Sequence, residues 1–267
     1  MPYRVDLVDA RSDADGVFDR LVELGALDVE RVSPGGIAAL MPDSVAPGAI
    51  AHALGHGTIS VSPAVGRDAD SVWVLNPRPI RVGRVSIVPA PVDAEPSAIV
   101  LIDGPAFGTG LHPTTTLCVA ALDEALRIAV PEAVLDVGTG SGVLALAALR
   151  LGVPRAVGID IAIEALGVAQ KNAEVNGLAA RLPLVCGGPH AVAPSFPLVL
   201  ANVQAAPLME MAGCLVRRVG HQGRLVLSGI PLGVEGEVDR TYRRLGMRRV
   251  DETSRGGWVA QVFQASW

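Results

Sequence analysis

Val134-Leu135-Asp136-Val137-Gly138-Thr139-Gly140-Ser141-Gly142 is an apolar run that breaks into three alternate glycines before the apolar pattern resumes at Val143-Leu144-Ala145-Leu146. The spacing reads as a buried strand turning directly into a helix. Glycines at such a turn let a ligand approach the backbone, and the first turn of a helix offers N–H groups with no partner inside the helix. An ordinary strand-to-helix turn rarely needs three of them. The order Gly-x-Gly-x-Gly also differs from the Gly-x-Gly-x-x-Gly that seats a pyrophosphate on a helix. Asp136 reads as lying inside the turn, where a carboxylate repels a pyrophosphate but helps to hold an ammonium group. The turn suits a nucleoside bearing an amino acid, with Asp136, Gly138, Thr139 and Gly140 as candidate contacts.

Working outward, Ala156-Val157-Gly158-Ile159 reads as the next strand and ends at Asp160. A carboxylate there has two oxygens to accept both ribose hydroxyls; the alternative is a cap on the helix from Ile163. Asn202 ends a further apolar run, 198–201, and opens Asn202-Val203-Gln204-Ala205-Ala206-Pro207-Leu208. At the carboxyl edge of an open α/β sheet its amide would accept a hydrogen bond from an incoming amine, which makes Asn202 the candidate catalytic residue; a capping role is again the alternative. Upstream, Ala106-Phe107-Gly108-Thr109-Gly110-Leu111-His112-Pro113-Thr114-Thr115 joins a glycine loop to a helix start, because proline suits the first helical turn. Thr109, Gly110 and Thr115 are candidate ligand contacts, the alternative for the threonines being that they simply cap the helix. His112, beside this start, reads as structural rather than as a base.

From residue 99 onward apolar strands (133–137, 156–159, 182–186, 198–201, 224–228) alternate with helical patterns (113–128, 142–151, 163–176, 207–219, 234–245), the signature of a parallel sheet covered on both faces. Two terminal strands, 247–251 and 258–263, joined by the polar stretch 252–257, predict an antiparallel hairpin at the sheet's end. Residues 1–65 follow another order: strand 3–8, helix 13–24 with Val17, Leu21 and Leu24 on one face, strands 26–32 and 36–41, helix 46–54, strand 57–61. That is the ferredoxin-like split βαβ arrangement. Residues 66–98, rich in Pro, Asp and Arg, read as a linker with strand-like 71–75 and 85–88 that could add edge strands. The domains are therefore expected at 1–65 and 99–267.

The 267 residues, half of them apolar, supply a sizeable core. Three cysteines, Cys118, Cys186 and Cys214, lack the close spacing of metal ligands or a disulfide framework, so no metal is expected and the thiols read as reduced, in a cytoplasmic protein. No apolar run is long enough to span a membrane. A net charge of −5 argues against broad nucleic-acid binding and suits a basic protein partner. Lys171, the only lysine, reads as codon bias. The sequence carries no signal for oligomeric state.

Taken together, Ala-Phe-Gly-Thr-Gly-x-His-Pro-Thr-Thr at 106–115, Leu-Asp-Val-Gly-Thr-Gly-Ser-Gly at 135–142, Gly-Ile-Asp at 158–160 and Ala-Asn-Val-x-Ala-x-Pro-Leu at 201–208 resemble the PrmA family, the methyltransferases of large-subunit ribosomal protein eleven. Residues 1–62 match that family's small substrate-recognition domain in order and size. The resemblance implies a class I methyltransferase fold, S-adenosyl-L-methionine as cofactor with contacts from Thr115, Gly138, Asp160 and Asn202, and methylation of lysine side chains and an N-terminal amine of a ribosomal protein. The sequence departs from the family's pattern at Asp103-Gly104-Pro105, at Leu111, at Gly187-Gly188-Pro189-His190, where no acid follows the third strand, at Pro197 and at Gly257; the linker keeps Trp73 alone of a usually tryptophan-richer segment. On sequence alone a small-molecule methyltransferase, a divergent paralogue with another protein substrate, a non-catalytic binding protein and a nicotinamide-dependent oxidoreductase stay open. Binding of S-adenosylhomocysteine rather than NAD separates the enzyme reading from the last two.

Overall fold

The computed structural model describes residues 3–7, 14–26, 28–32, 36–42, 44–55, 59–63, 79–90, 95, 97–102, 112–193 and 195–267. The chain divides into two compact units, Met1–Pro77 and Arg78–Trp267.

In the first unit, β1 (Tyr3–Leu7), α1 (Ala14–Glu23), β2 (Asp28–Val32), β3 (Gly36–Met41), α2 (Pro47–Leu54) and β4 (Ile59–Pro63) follow in the expected order. The strands pair antiparallel as β2-β3-β1-β4, which is the ferredoxin-like arrangement. Alternation places Val5 and Leu7 with Ile37, Ala39 and Met41 in one core, closed by Leu21 from α1 and Ile50 from α2.

The second unit opens with β5 (Ile80–Val82), β6 (Val85–Pro89) and β7 (Ile99–Leu101), a three-stranded sheet of its own rather than added edge strands on the larger one. The hairpin turns at Gly83, whose φ is 56°; a β-carbon there would sit 2.1 Å from Asp123 Oδ2. Asp123 belongs to helix α3 (Pro113–Ile128), accepts from the Arg84 backbone and guanidinium, and so clamps this hairpin. Strand-like 71–75 lies outside the described residues.

The main sheet is built from β8 (Ala133–Val137), α4 (Val143–Arg150), β9 (Arg155–Asp160), α5 (Ile163–Val175), β10 (Leu184–Cys186), β11 (Phe196–Asn202), α6 (Ala205–Glu210), α7 (Ala212–Val216), β12 (Val219–Pro231), α8 (Glu235–Arg244), β13 (Met247–Arg255) and β14 (Trp258–Ala265). Its order is β10-β9-β8-β11-β12-β14-β13, parallel from β10 to β12 and antiparallel beyond. The period of two sorts the buried strands between two cores. Val134, Leu198, Leu200 and Val226 face α3 and α4; Leu135, Val137, Val199, Ala201 and Leu225 face α6, α7 and α8. The chain moves outward from β8 to β10, then returns to the other side of β8 as β11. That reversal opens a crevice at the carboxyl ends of β8 and β11, the place where open α/β sheets bind ligands.

Three elements depart from the sequence reading. The helix expected over 207–219 breaks at Met211, where φ is −89° and ψ 3°, into α6 and α7. Strand β12 runs 13 residues instead of 224–228, starting beside Phe196 and ending beyond Gly229. The terminal hairpin turns at Gly256 and Gly257 alone, with φ of 55° and 74°, and not over 252–257. Two successive left-handed residues make the tight turn whose twist matches the flanking strands. β13 is an edge strand exposed from Arg248 to Arg255, so its apolar alternation is faint.

Candidate active site

The crevice is shaped first by the glycine turn. Gly138, Gly140 and Gly142 hold φ of 69°, 54° and 81°, left-handed values that a β-carbon disfavours. Gly138 has a second constraint, since a β-carbon would stand 2.6 Å from Val203 Cγ2, just past the end of β11. The amides of Gly138 and Thr139 both donate to the Ile159 carbonyl at 2.9 Å, which ties the turn to β9.

Asp136 lies in β8, beneath the turn rather than inside it. It is wholly buried; Oδ2 accepts from Thr139 Oγ1 at 2.7 Å and from Ala145 N at 3.2 Å, and Oδ1 has no partner among the described residues. Burial pushes its carboxyl up to about 6 against the two hydrogen bonds that favour the charge. Thr139, expected among the ligand contacts, turns its hydroxyl inward onto that carboxylate, while its carbonyl accepts from Gly142 N at 2.8 Å. The strand period explains the correction: Asp136 shares the face of Val134, toward α4, so its carboxylate braces the first turn of that helix.

Asp160 stands at the end of β9. One oxygen accepts from Gly140 N and the other from Ala162 N, each at 3.0 Å. The capping alternative is not realised: the N-cap of α5 is Ala162, without a side-chain cap bond, and Asp160 holds only the amide of that residue. Each oxygen carries a second lone pair, so two further donors can be held.

Asn202 ends β11, paired in register with Ser228 of β12. Its Nδ2 faces Thr115 Oγ1 at 3.5 Å, and its Oδ1 is buried without a partner among the described residues. Thr115 is itself fully buried in the first turn of α3. Ser228 Oγ donates to the Thr114 carbonyl at 2.9 Å and latches that helix start onto the sheet. The same signal that picks out Asn202, a polar residue ending an apolar strand, also marks Ser228, which the sequence reading passed over.

His112 is the N-cap of α3; Nδ1 accepts from Thr114 N at 3.3 Å and lies 2.8 Å from Thr114 Oγ1. Its ring meets Trp258 edge-on, with centroids 5.2 Å apart. Burial lowers its pKa to about 4, far too low for a base that takes a proton from an ammonium ion. The capping reading of His112 accounts for its place. Trp258, also missed in sequence, has a buried Nε1 without a partner among the described residues.

The structure thus brings Asp136, Gly138, Thr139, Gly140 and Asp160 to one side of the crevice, and Thr115 and Asn202 to the other. Thr109 and Gly110 lie outside the described residues. Among the described residues, no cluster of three or more His, Cys, Asp or Glu side chains could hold a metal ion, and no helix is long and apolar enough to cross a membrane.

The family model described as ribosomal protein L11 methyltransferase (PrmA) matches residues 49–266. A protein of that description from Geobacter metallireducens is 40% identical over 199 residues, which cover 72% of this chain and 64% of its own length. One from Geobacter sulfurreducens is 40% identical over 213 residues, 76% of this chain and 69% of its own length. The aligned stretch therefore spans about two thirds of these relatives. Among solved structures, a ribosomal protein L11 methylase from Lactobacillus delbrueckii subsp. bulgaricus superposes with a TM-score of 0.65 and 27% identity, covering 71% of this chain and all of that one. With the sheet order, the glycine turn and these matches in agreement, the chain belongs to the ribosomal protein L11 methyltransferase family.

Proposed function

We propose that the protein is an S-adenosyl-L-methionine-dependent N-methyltransferase whose acceptor is an amine of a ribosomal protein, either a lysine side chain or an N-terminal amine. The observation that carries this reading is the buried Oδ1 of Asn202 at the end of β11, which has no partner among the described residues. An acceptor left without a partner inside a protein costs about 1–3 kcal/mol, and an N–H donor arriving from outside removes that cost. An amine is such a donor, and it keeps its lone pair for attack.

The residues present also fit the cofactor. Gly138 and Gly140 open the backbone, Asp160 accepts one donor on each oxygen among the described residues and so offers a further lone pair on each to ribose hydroxyls, and Asp136 and Asp160 give the turn a negative character that favours an ammonium over a pyrophosphate. Asp136 acts through the turn it braces, and Thr139 does the same. When bound, S-adenosyl-L-methionine supplies a methyl carbon on a sulfonium leaving group. The chain's own task is to hold a neutral amine in line with that carbon and to exclude water. Neutralising a lysine of pKa ~10.4 at pH 7 costs about 4.6 kcal/mol and an α-amine of pKa ~7.7 about 1 kcal/mol. Desolvation in the crevice lowers both costs. His112, neutral and engaged as a cap, takes no part in the proton's departure, which goes to solvent.

The two-unit organisation suits a substrate-recognition role for the N-terminal ferredoxin-like unit, roughly residues 1–65, with catalysis in the larger unit. A cytoplasmic setting goes with a ribosomal substrate. The test is incubation with methyl-labelled cofactor and undermethylated ribosomal proteins. Label on one ribosomal protein at an amine supports the reading; label confined to small metabolites, or none, overturns it.

A further inference from the structure

Helix α5 carries two asparagines one turn apart, Asn172 and Asn176, fully and almost fully buried. Asn176 behaves as a substitute strand. Its Oδ1 accepts from Val100 N at 2.9 Å and its Nδ2 donates to Val100 O at 2.7 Å, so one side chain satisfies both backbone groups of a β7 residue. Asn172 does something different. Its Oδ1 accepts from Ile102 N at 2.8 Å, but its Nδ2 donates to the carbonyl of Ser141, inside the glycine turn, also at 2.8 Å.

Ser141 and Gly142 share a peptide whose two polar ends are now both fixed. The N–H is held by the Thr139 carbonyl and the C=O by Asn172. Peptides beside a left-handed glycine flip easily, because ψ of one residue and φ of the next rotate together without moving the chain, and glycine has no side chain to oppose it. Gly142, with φ of 81°, is such a residue. Two hydrogen bonds oppose the flip, from the Gly142 N–H to the Thr139 carbonyl and from the Asn172 amide to the Ser141 carbonyl. A flipped peptide reverses its dipole at the start of α4, next to the turn that meets the cofactor. The fraction of molecules with the competent turn multiplies the affinity directly.

We propose that Asn172 is a positioning residue for the cofactor site: it locks the Ser141–Gly142 peptide in the binding-competent orientation and is itself oriented by the amide of Ile102. The proposal rests on the reading of the glycine turn as the cofactor site. Asn176 provides the internal control, since it lies on the same helix and bonds Val100 of β7 and the Asn172 backbone carbonyl but, among the described residues, makes no hydrogen bond to Ser141 or Gly142.

The test is calorimetry with S-adenosylhomocysteine on the full chain, alongside thermal unfolding of each variant. Asn172→Asp keeps an acceptor for Ile102 and places an oxygen against the Ser141 carbonyl. It is expected to weaken binding about tenfold, the equivalent of one hydrogen bond of ~1.4 kcal/mol. Asn176→Asp is expected to lower the unfolding temperature while keeping affinity within about twofold. Asn172→Ala, which removes both bonds, is read the same way where the aspartate variant fails to fold. Equal affinity in the Asn172 variants and the wild type, or equal weakening by Asn176→Asp, overturns the positioning role while leaving the site intact. No binding to the wild type overturns the reading of the site and the coupling with it.

Discussion

The amide nitrogen of Asn202 faces the Thr115 hydroxyl at 3.5 Å, and the amide oxygen is buried without a partner among the described residues. The pair joins the end of β11 to the first turn of α3, which Ser228 holds against the sheet through the Thr114 carbonyl. Catalytic hydrogen bonds of this kind are often long before substrate arrives and shorten in the complex.

Removing the amide should therefore damage turnover more than cofactor binding. Asn202→Ala is expected to lower kcat about a hundredfold, the cost of losing orientation at the reacting nitrogen, while S-adenosylhomocysteine affinity falls by less than about tenfold. Steady-state methylation assays and calorimetry on the same preparation decide it; unchanged turnover excludes Asn202 from the reaction.

In the proposed reaction Thr115 acts through that amide. Thr115→Val removes the oxygen that meets Nδ2 and should lower kcat about tenfold, with Thr115→Ser restoring most of it. A valine variant as active as the wild type would mean that Asn202 needs no such orientation.

Two glycines separate strain from open space. At Gly138 a methyl group meets both a left-handed φ and Val203, so Gly138→Ala is expected to cost about 1–3 kcal/mol of stability and to abolish cofactor binding. Gly167 lies within α5 with nothing inside 4 Å of a built β-carbon, so Gly167→Ala should stabilise the fold by about 0.5–1 kcal/mol with affinity unchanged. Urea unfolding of the two variants tests both signs.

Asp136 and His112 should oppose each other in the pH dependence of stability. Asp136 rises from 3.8 in the unfolded chain to about 6 in the fold, so its contribution is complete below pH 3.8 and is lost as pH climbs through 6. His112 falls from 6.5 to about 4, so its contribution is complete above pH 6.5 and is lost as pH drops through 4. Each amounts to about 3 kcal/mol. Relative to wild type, Asp136→Asn should gain stability with rising pH between 4 and 6, and His112→Asn should lose it over the same window. Denaturant unfolding at pH 4.5 and 7 reads the difference; parallel profiles for both variants would contradict the two assignments.

The fold was legible wherever one period dominated. Strands β8 and β11 are buried over most of their length and read as mainly apolar runs, interrupted in β8 by Asp136, and the three glycines after β8 take left-handed values that side chains disfavour. β13 was short in the sequence reading because an exposed edge strand has no apolar face to alternate. Asp160 and Asn202 stood out in the sequence because each ends an apolar strand, and the structure places each at a strand end. Asp136 was placed one layer too high, since chain order alone does not say whether a carboxylate points across the turn or beneath it. Asn172 gave no signal, because a polar residue within a helix is ordinarily solvated and only the fold brings the Ile102 amide, just past β7, and the Ser141 carbonyl of the glycine turn to its two ends. Trp258 was likewise invisible until β14 brought its ring to His112.

The central claim is that the crevice between the carboxyl ends of β8 and β11 holds the methyl donor. A crystal structure with S-adenosylhomocysteine measures it most directly. The account predicts the amino-acid end against Gly138 and Gly140, the ribose on Asp160, and the sulfur directed toward Asn202. Density for the nucleoside on any other surface, or none at saturating concentration, would contradict it.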